Sequence, residues 1–240
     1  MKKLYEKNEL VFALMWIGVY VVLFSMADRL SAALGTEKLV TALLGAVLTA
    51  VLLGFIKGND LLGKCGLVKG SYKSGQYLYF VPLLILASTN FWGGITMNMP
   101  ALETVLYVLS MIAVGILEEV IFRGLLFTAM RKDSLQWAVI VSSLTFGFGH
   151  IVNLLNGAQL LPTLMQIVYA SAAGFLFTVI FLKSGSLLPC ILTHCAINSF
   201  SAFAVEGSQM LDMITAGVLT VVSVAYALWI WRVPAGKNTE

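Results

Sequence analysis

The feature that most limits the fold of this chain is its succession of long apolar runs. Hydrophobic residues make up 59% of the 240 residues and charged residues only 11%, against roughly 25% charged in an ordinary soluble domain. Such runs favour helices, because a bilayer requires backbone polar groups to be satisfied internally and a barrel would need short alternating strands. The sequence predicts an all-α polytopic transmembrane bundle of about eight spans that forms one integral membrane domain, 1–240. The eight runs lie near 10–27, 39–56, 77–92, 102–130, 136–155, 160–182, 187–204 and 211–231.

Basic residues divide the connections between these runs into two sets. With a cytoplasmic N-terminus, one side of the membrane receives twelve Lys and Arg residues and the other receives only Arg29 and Lys38. Because positive residues favour the cytoplasmic side, we expect a multi-pass protein of the cell membrane, surrounded by lipids, with both termini in the cytoplasm. The twelve are Lys2, Lys3, Lys7, Lys57, Lys64, Lys69, Lys73, Arg131, Lys132, Lys183, Arg232 and Lys237.

Several functional classes are disfavoured by composition. The net charge is +3 without a concentrated basic patch, so we expect no nucleic-acid partner. The three cysteines, Cys65, Cys190 and Cys195, form neither an even set nor a Cys-x-x-Cys pair, which argues against a disulfide framework or a redox site. The run ending near Ala27 has features of a cleaved signal peptide, but its length and the later spans favour a first membrane helix.

Two adjacent carboxylates and an arginine interrupt the fourth run. Charges at membrane depth are costly and are usually functional. Glu119 and Arg123 are four residues apart, so they share a helical face and are expected to pair. Glu118 points about 100° away and has no obvious local partner, which makes it the candidate general base. The structural alternative is one buried ion network that contains both glutamates and Arg123.

The chain has two histidines, and both lie in later apolar runs. Gly147 and Gly149 precede His150 and are expected to permit close helix approach. His194 and Asn198 are four residues apart, and as hydrogen-bond donors they could hold an oxyanion or join helices. Counted along their helices, Glu118 and both histidines fall roughly 10–20 Å below the lysine-rich surface. We therefore expect them to meet in one cavity that opens toward the cytoplasm or the inner leaflet.

These elements read, in order, Glu-Glu-x-x-x-Arg, Phe-x-x-x-His and His-x-x-x-Asn, each on its own apolar run. Over residues 111–203 the chain resembles the CAAX protease and bacteriocin-processing (CPBP, or Abi) family. The eukaryotic branch of that family is the type II CAAX prenyl endopeptidase. The resemblance makes 111–203 the core protease region, with Glu119 and Arg123 as supporting residues.

The resemblance implies a glutamate-dependent intramembrane endopeptidase without a metal, a cofactor or a covalent intermediate. Glu118 would be the general base and His150 would help it to activate water, while His194 and Asn198 would stabilise the oxyanion. Prenylated substrates belong to the eukaryotic branch. Short loops and small size make this chain resemble a prokaryotic member, for which prenylated substrates are not expected. The expected substrate is a peptide precursor, such as a bacteriocin or signalling peptide, or another membrane protein, lipidated or not. Oligomeric state is not indicated.

Two other interpretations remain open at this stage. A zinc peptidase could use the two histidines and two glutamates as ligands, although the sequence lacks His-Glu-x-x-His. A non-catalytic immunity or scaffold protein, or a small proton-linked transporter using Glu118, would also explain an intramembrane carboxylate. No inverted repeat is evident, which weakens the transporter interpretation.

Overall fold

The computed structural model describes residues 1–70, 78–205 and 207–232. Within these ranges the only extended pairing is one isolated antiparallel bridge, between Ile95 and Ala204. The all-helical class predicted from the apolar runs is therefore confirmed.

The described chain is a succession of α-helices with π- and 3₁₀-helical segments between some of them. A π-helix, Val120–Phe127, separates α5 from α6, and 3₁₀ turns follow α4 (Thr89–Phe91) and α10 (Ser201–Phe203). In chain order the α-helices are α1 (Lys2–Lys7), α2 (Glu9–Ala33), α3 (Leu39–Gly58), α4 (Val81–Ser88), α5 (Ala101–Glu119), α6 (Thr128–Met130), α7 (Leu135–Gly149), α8 (Val152–Leu155), α9 (Leu160–Ser184), α10 (Leu188–Phe200) and α11 (Gln209–Arg232).

The number of spans differs from the expectation. Six helices in the described part of the chain are long and apolar enough to cross a membrane: Glu9–Ala33, Leu39–Gly58, Ala101–Met130, Leu135–Leu155, Leu160–Ser184 and Gln209–Arg232. The third and seventh predicted runs form the shorter apolar helices Leu78–Phe91 and Leu188–Phe203. The α-helical part of the seventh run has 13 residues and rises only about 20 Å, less than the roughly 30 Å hydrocarbon core. A count of about eight spans is therefore not confirmed.

The span that carries the two glutamates lies at the centre of the bundle. Its α5 part packs on α3 and α10, and its π-helix packs on α2 and α7. Gly115 allows the approach of α10, because a Cβ there would lie 2.9 Å from the Cys195 backbone nitrogen. Gly147 similarly brings α7 against α9, with a built Cβ 2.7 Å from the Ile167 carbonyl oxygen. The expectation for Gly149 was wrong, since a Cβ there would meet nothing within 4 Å.

The connections at the lysine-rich end of the bundle are joined by ion pairs. Glu9, at the start of α2, lies 2.6 Å from the Lys64 ammonium and 2.7 Å from that of Lys132. Lys64 also donates a 2.7 Å hydrogen bond to the Tyr5 hydroxyl. We call these four residues the lysine network. They tie together chain segments that the charge count assigned to the same side of the membrane.

Candidate active site

The central span changes its helical form directly after the glutamates. The α-helix ends at Glu119, and the next eight residues form the π-helix. π-helices are rare and occur frequently at functional sites. Two carbonyls of the π-helix accept hydrogen bonds from side-chain hydroxyls. Ser142 donates to the Phe122 carbonyl at 2.8 Å, and Thr128 donates to the Arg123 carbonyl at 3.0 Å. The wider turn is thus stabilised by side chains of its own span and of α7.

The predicted pair between Glu119 and Arg123 is confirmed. Arg123 Nη1 lies 3.0 Å from Glu119 Oε1, and both side chains are fully buried. The guanidinium also faces two rings, with its Cζ 4.2 Å from the Phe146 centroid and 5.8 Å from that of Phe177. Gly174 leaves room for it, since a Cβ there would lie 2.8 Å from Arg123 Nη2. Pairing and ring contacts offset part of the high cost of a buried charge, since Arg123 Nε and Nη2 have no hydrogen-bond partner among the described residues.

His194 lies between the two carboxylates. Its Nδ1 is 2.9 Å from Glu119 Oε1, and its Nε2 is 3.4 Å from Glu118 Oε2. Because Glu119 is paired with a guanidinium, it is an ionised acceptor, so we assign the Nδ1 proton to this bond. We call Glu118, Glu119, Arg123 and His194 the carboxylate cluster. Both glutamates thus belong to one buried network, as the structural alternative expected.

Glu118 has a partner that sequence reasoning missed. The Tyr20 hydroxyl of α2 donates a 2.7 Å hydrogen bond to Glu118 Oε1. Glu118 was expected to have no local partner, and its partner is instead a distant residue on another helix. Nothing in the sequence marks Tyr20, because an isolated tyrosine in an apolar run is common in membrane helices and the partners are 98 residues apart. Glu118 Oε2 is buried and makes no hydrogen bond among the described residues.

A cavity of about 500 Å³ reaches down to this cluster, with Glu118, His150, Asn198 and Tyr20 among its lining residues. Of the three residues that were expected to meet in one cavity, Glu118 and His150 line it and His194 does not. Asn198, one turn after His194 on α10, does line it. Phe146 organises both imidazoles, since its ring centroid is 5.8 Å from that of His150 and 5.5 Å from that of His194, both edge-to-face. Within the described structure the His150 side chain has no hydrogen-bond partner. It is therefore free to meet a substrate or a water molecule.

The cavity opens at the end of the bundle opposite the lysine network. Its lining runs from buried Glu118 to Asp28, Lys38 and the exposed Asn156. Asp28 and Lys38 form a 2.8 Å ion pair at this end. The expectation that the site opens at the lysine-rich end was wrong. The depth count placed these residues near the middle of their spans, which does not determine the side from which they are reached.

The same side chains are the candidates for a metal site. Across the described ranges, no group of three or more His, Cys, Asp and Glu side chains is arranged to hold a metal ion. Instead, both nitrogens of His194 face carboxylate oxygens within the cluster.

Comparisons with known proteins agree with the motifs. Searches of curated proteins and of solved structures gave no match. A family model described as "Type II CAAX prenyl endopeptidase Rce1-like" matches residues 100–200. These residues contain the whole carboxylate cluster together with His150 and Asn198. The central region of this chain therefore matches the family of Rce1-like type II CAAX prenyl endopeptidases, as its motifs predicted.

Proposed function

We propose that this protein is a glutamate-dependent intramembrane endopeptidase that hydrolyses a peptide bond in a membrane-associated peptide or protein. The observation that carries the proposal is the Glu118 carboxylate at the base of a cavity that also presents His150 and Asn198. A carboxylate, an imidazole and an amide are the groups that water activation and oxyanion stabilisation require. The family match over residues 100–200 supports the same reaction class.

Glu118 acts as the general base in this proposal. It removes a proton from water as the water oxygen attacks the scissile carbonyl carbon, and the carbonyl π electrons move onto oxygen. When the tetrahedral intermediate collapses, the C–N bond breaks and the proton passes to the leaving nitrogen. His150, which lines the same cavity without a partner, helps to orient the water and to relay this proton. The Tyr20 hydrogen bond fixes the carboxylate for both steps.

Asn198 stabilises the oxyanion through its side-chain amide N–H, since it lines the cavity beside Glu118. The resemblance also implies an oxyanion role for His194. Its 2.9 Å bond to Glu119 and its place beside Glu118 favour a positioning role instead, in which the imidazole packs between the Glu119–Arg123 pair and the general base.

The membrane placement follows from the charge distribution. We propose a cell-membrane protein with both termini in the cytoplasm, and with the two shorter apolar helices embedded among the six longer ones. With this orientation the catalytic cavity opens away from the cytoplasm. A precursor peptide, such as a bacteriocin or signalling peptide, or another membrane protein would reach it from that side, whether or not it is lipidated.

Labelling of single added cysteines tests this orientation. We expect a membrane-impermeant maleimide added to intact cells to label Asn156→Cys, at the cavity mouth, and to leave Lys132→Cys, in the lysine network, unlabelled. The parent protein, with Cys65, Cys190 and Cys195, is the blank. Labelling of Lys132→Cys alone would reverse the proposed orientation.

The reaction is tested with purified protein in liposomes and a library of short peptides, some lipidated, with products read by mass spectrometry. We expect wild type to cleave a subset of peptides whether or not a chelator is present, and His150→Ala to lose this activity. Loss with chelator that zinc restores would establish the metallopeptidase alternative. No cleavage by folded wild type, together with unchanged cellular function of Glu118→Gln, would establish a non-catalytic scaffold.

A further inference from the structure

A second cavity of about 550 Å³ adjoins the catalytic one. It lies between the N-terminal halves of α9 and α11 and the segments that follow α4 and α10. The two cavities share Asn90, Tyr169 and Ile197 as lining residues. The Asn90 amide donates a 2.7 Å hydrogen bond to the Ile197 carbonyl, so this shared wall is fixed. Because only this wall separates the two cavities, the second one lies within reach of a side chain next to the bond held over Glu118 and Asn198.

The walls of the second cavity are largely apolar, and one charge lies at its rim. Leu161, Pro162, Met165 and Leu219 are among the lining residues, and the single charged lining residue in the described chain is Asp212. The Asp212 side chain has no ion-pair or hydrogen-bond partner among the described residues. Its Oδ1 lies against Gly207, where a Cβ would be only 2.8 Å away, so the missing side chain leaves room for the carboxylate.

The charges around the two cavities also favour a cationic substrate side chain. Besides Glu118 at the base of the first cavity, the charged residues that line the two cavities in the described chain are Asp28, Lys38 and Asp212. Since Asp28 is paired with Lys38, the Asp212 carboxylate is left uncompensated beside an apolar pocket. A cationic side chain with an apolar stem has the matching chemistry, because its stem packs on the walls while its charge remains at the rim.

We propose that the second cavity is a specificity pocket that takes a lysine or arginine side chain of the substrate next to the scissile bond, with Asp212 as its counter-charge. This inference rests on the proposed function. It assigns the substrate a basic residue beside the bond that is cut, and it gives the cavity a peptide side chain rather than a lipid chain as its occupant.

The test uses arrayed short peptides on an apolar background, with Lys, norleucine or Glu placed at each position in turn. Norleucine keeps the apolar stem of lysine and removes its charge. Binding of fluorescein-labelled peptides is measured on Glu118→Gln protein, and cleavage is measured on wild type. Wild-type cleavage tests the proposed function, whereas binding to Glu118→Gln tests the pocket whether or not cleavage occurs.

We expect Lys peptides to bind about three- to tenfold more tightly than norleucine peptides at one position, as for a partly exposed charge pair. Adding Asp212→Asn should remove this difference, and Asp212→Lys should transfer the preference to Glu peptides. Glu37→Gln is the matched control, since it removes an exposed acid at the same end of the bundle without lining the pocket, and it should leave the preference intact. When cleavage of Lys peptides is measured, Asp212→Asn should raise KM and leave kcat unchanged.

Three results would overturn the inference. One is a lysine preference that survives Asp212→Asn or that disappears equally in Glu37→Gln. Another is the absence of any difference among the three peptide sets. The third is Asp212-independent binding that oleate competes away, which would assign the second cavity to a lipid chain.

Discussion

The carboxylate cluster and the lysine network are built from the same kind of contact in different surroundings. In each, a single glutamate carboxylate lies between two nitrogen-bearing side chains. These are Arg123 and His194 for Glu119, and Lys64 and Lys132 for Glu9. The Glu119 side chain is 0% exposed, whereas that of Lys132 is 53% exposed. Buried ion pairs become costly when one partner is removed, while exposed pairs contribute little. Burial therefore decides which network the fold depends on.

Removal of the buried guanidinium should give the largest change in stability. Arg123→Ala leaves Glu119 as a buried carboxylate without its main counter-charge, so we expect the free energy of unfolding to fall by about 3–5 kcal/mol. Thermal unfolding in detergent micelles measures this loss. Glu119→Gln combined with Arg123→Met should recover part of it, because no buried charge is then left unpaired. Lys132→Ala is the exposed counterpart, and an equal loss there would contradict the comparison.

Crowding the Arg123 guanidinium should lower the free energy of unfolding by less than its removal does. In Gly174→Ala the added methyl would lie 2.8 Å from Arg123 Nη2 and 3.1 Å from Phe146 Cδ1. We expect a loss of about 1–3 kcal/mol in the free energy of unfolding, typical of overpacking. Gly54→Ala on α3 is the matched control, since a Cβ there meets nothing within 4 Å. If both variants unfold at the same temperature, Gly174 does not make room for Arg123.

Loss of the Tyr20 hydroxyl should reduce turnover with little change in stability. Tyr20→Phe removes the 2.7 Å hydrogen bond to Glu118 and leaves the ring in place. We expect kcat to fall about tenfold with KM unchanged, because the carboxylate is less well oriented for proton transfer. Tyr107→Phe is the control, since its hydroxyl lines the same cavity but bonds Ser201 at 3.0 Å. An equal fall in kcat in the two variants would contradict a positioning role for Tyr20.

Disrupting the lysine network should give the smallest loss of stability, and that loss should depend on pH. Burial lowers the pKa of Lys64, but hydrogen bonds to Glu9 and Tyr5 outweigh it, so the pKa lies above its ordinary value of 10.5. A raised folded-state pKa gives stabilisation that is present below the unfolded pKa and is lost as the pH rises through the folded pKa. We expect Lys64→Met to cost at most about 1 kcal/mol near neutral pH.

Thermal unfolding of wild type and Lys64→Met at about pH 8 and about pH 11.5 tests this dependence. The difference in Tm between wild type and Lys64→Met should shrink at the higher pH. Lys57→Met, which removes an exposed lysine at the same end, should have the wild-type Tm at both pH values. A difference that grows with pH would contradict the assignment.

The sequence predicted the features that depend on local spacing. Apolar runs became helices, and the four-residue separation of Glu119 and Arg123 became a buried ion pair. Residue counts along the spans predicted that Glu118 and both histidines would share a cavity, and this is confirmed for Glu118 and His150 but not for His194. Each of these depends on periodicity along one helix or on polar groups being scarce in an apolar bundle.

Features that depend on packing between distant elements were not predictable in this way. The π-helix has the same apolar composition as an α-helix, so nothing in its residues indicates an i→i+5 pattern. The Tyr20 bond joins α2 to α5. The place of His194 between two carboxylates depends on how α10 meets α5 at Gly115. The side on which the cavity opens depends on the gaps between helices, which residue counts along each span do not contain.

The central claim is that the two neighbouring glutamates have different tasks, with Glu118 in chemistry and Glu119 in structure. Turnover and thermal unfolding of Glu118→Gln and Glu119→Gln, measured side by side with a cleaved peptide, test it most directly. Glu118→Gln should lose about 10²–10⁴-fold in kcat and unfold close to the wild-type temperature, whereas Glu119→Gln should unfold well below it. Wild-type turnover by folded Glu118→Gln would contradict the claim.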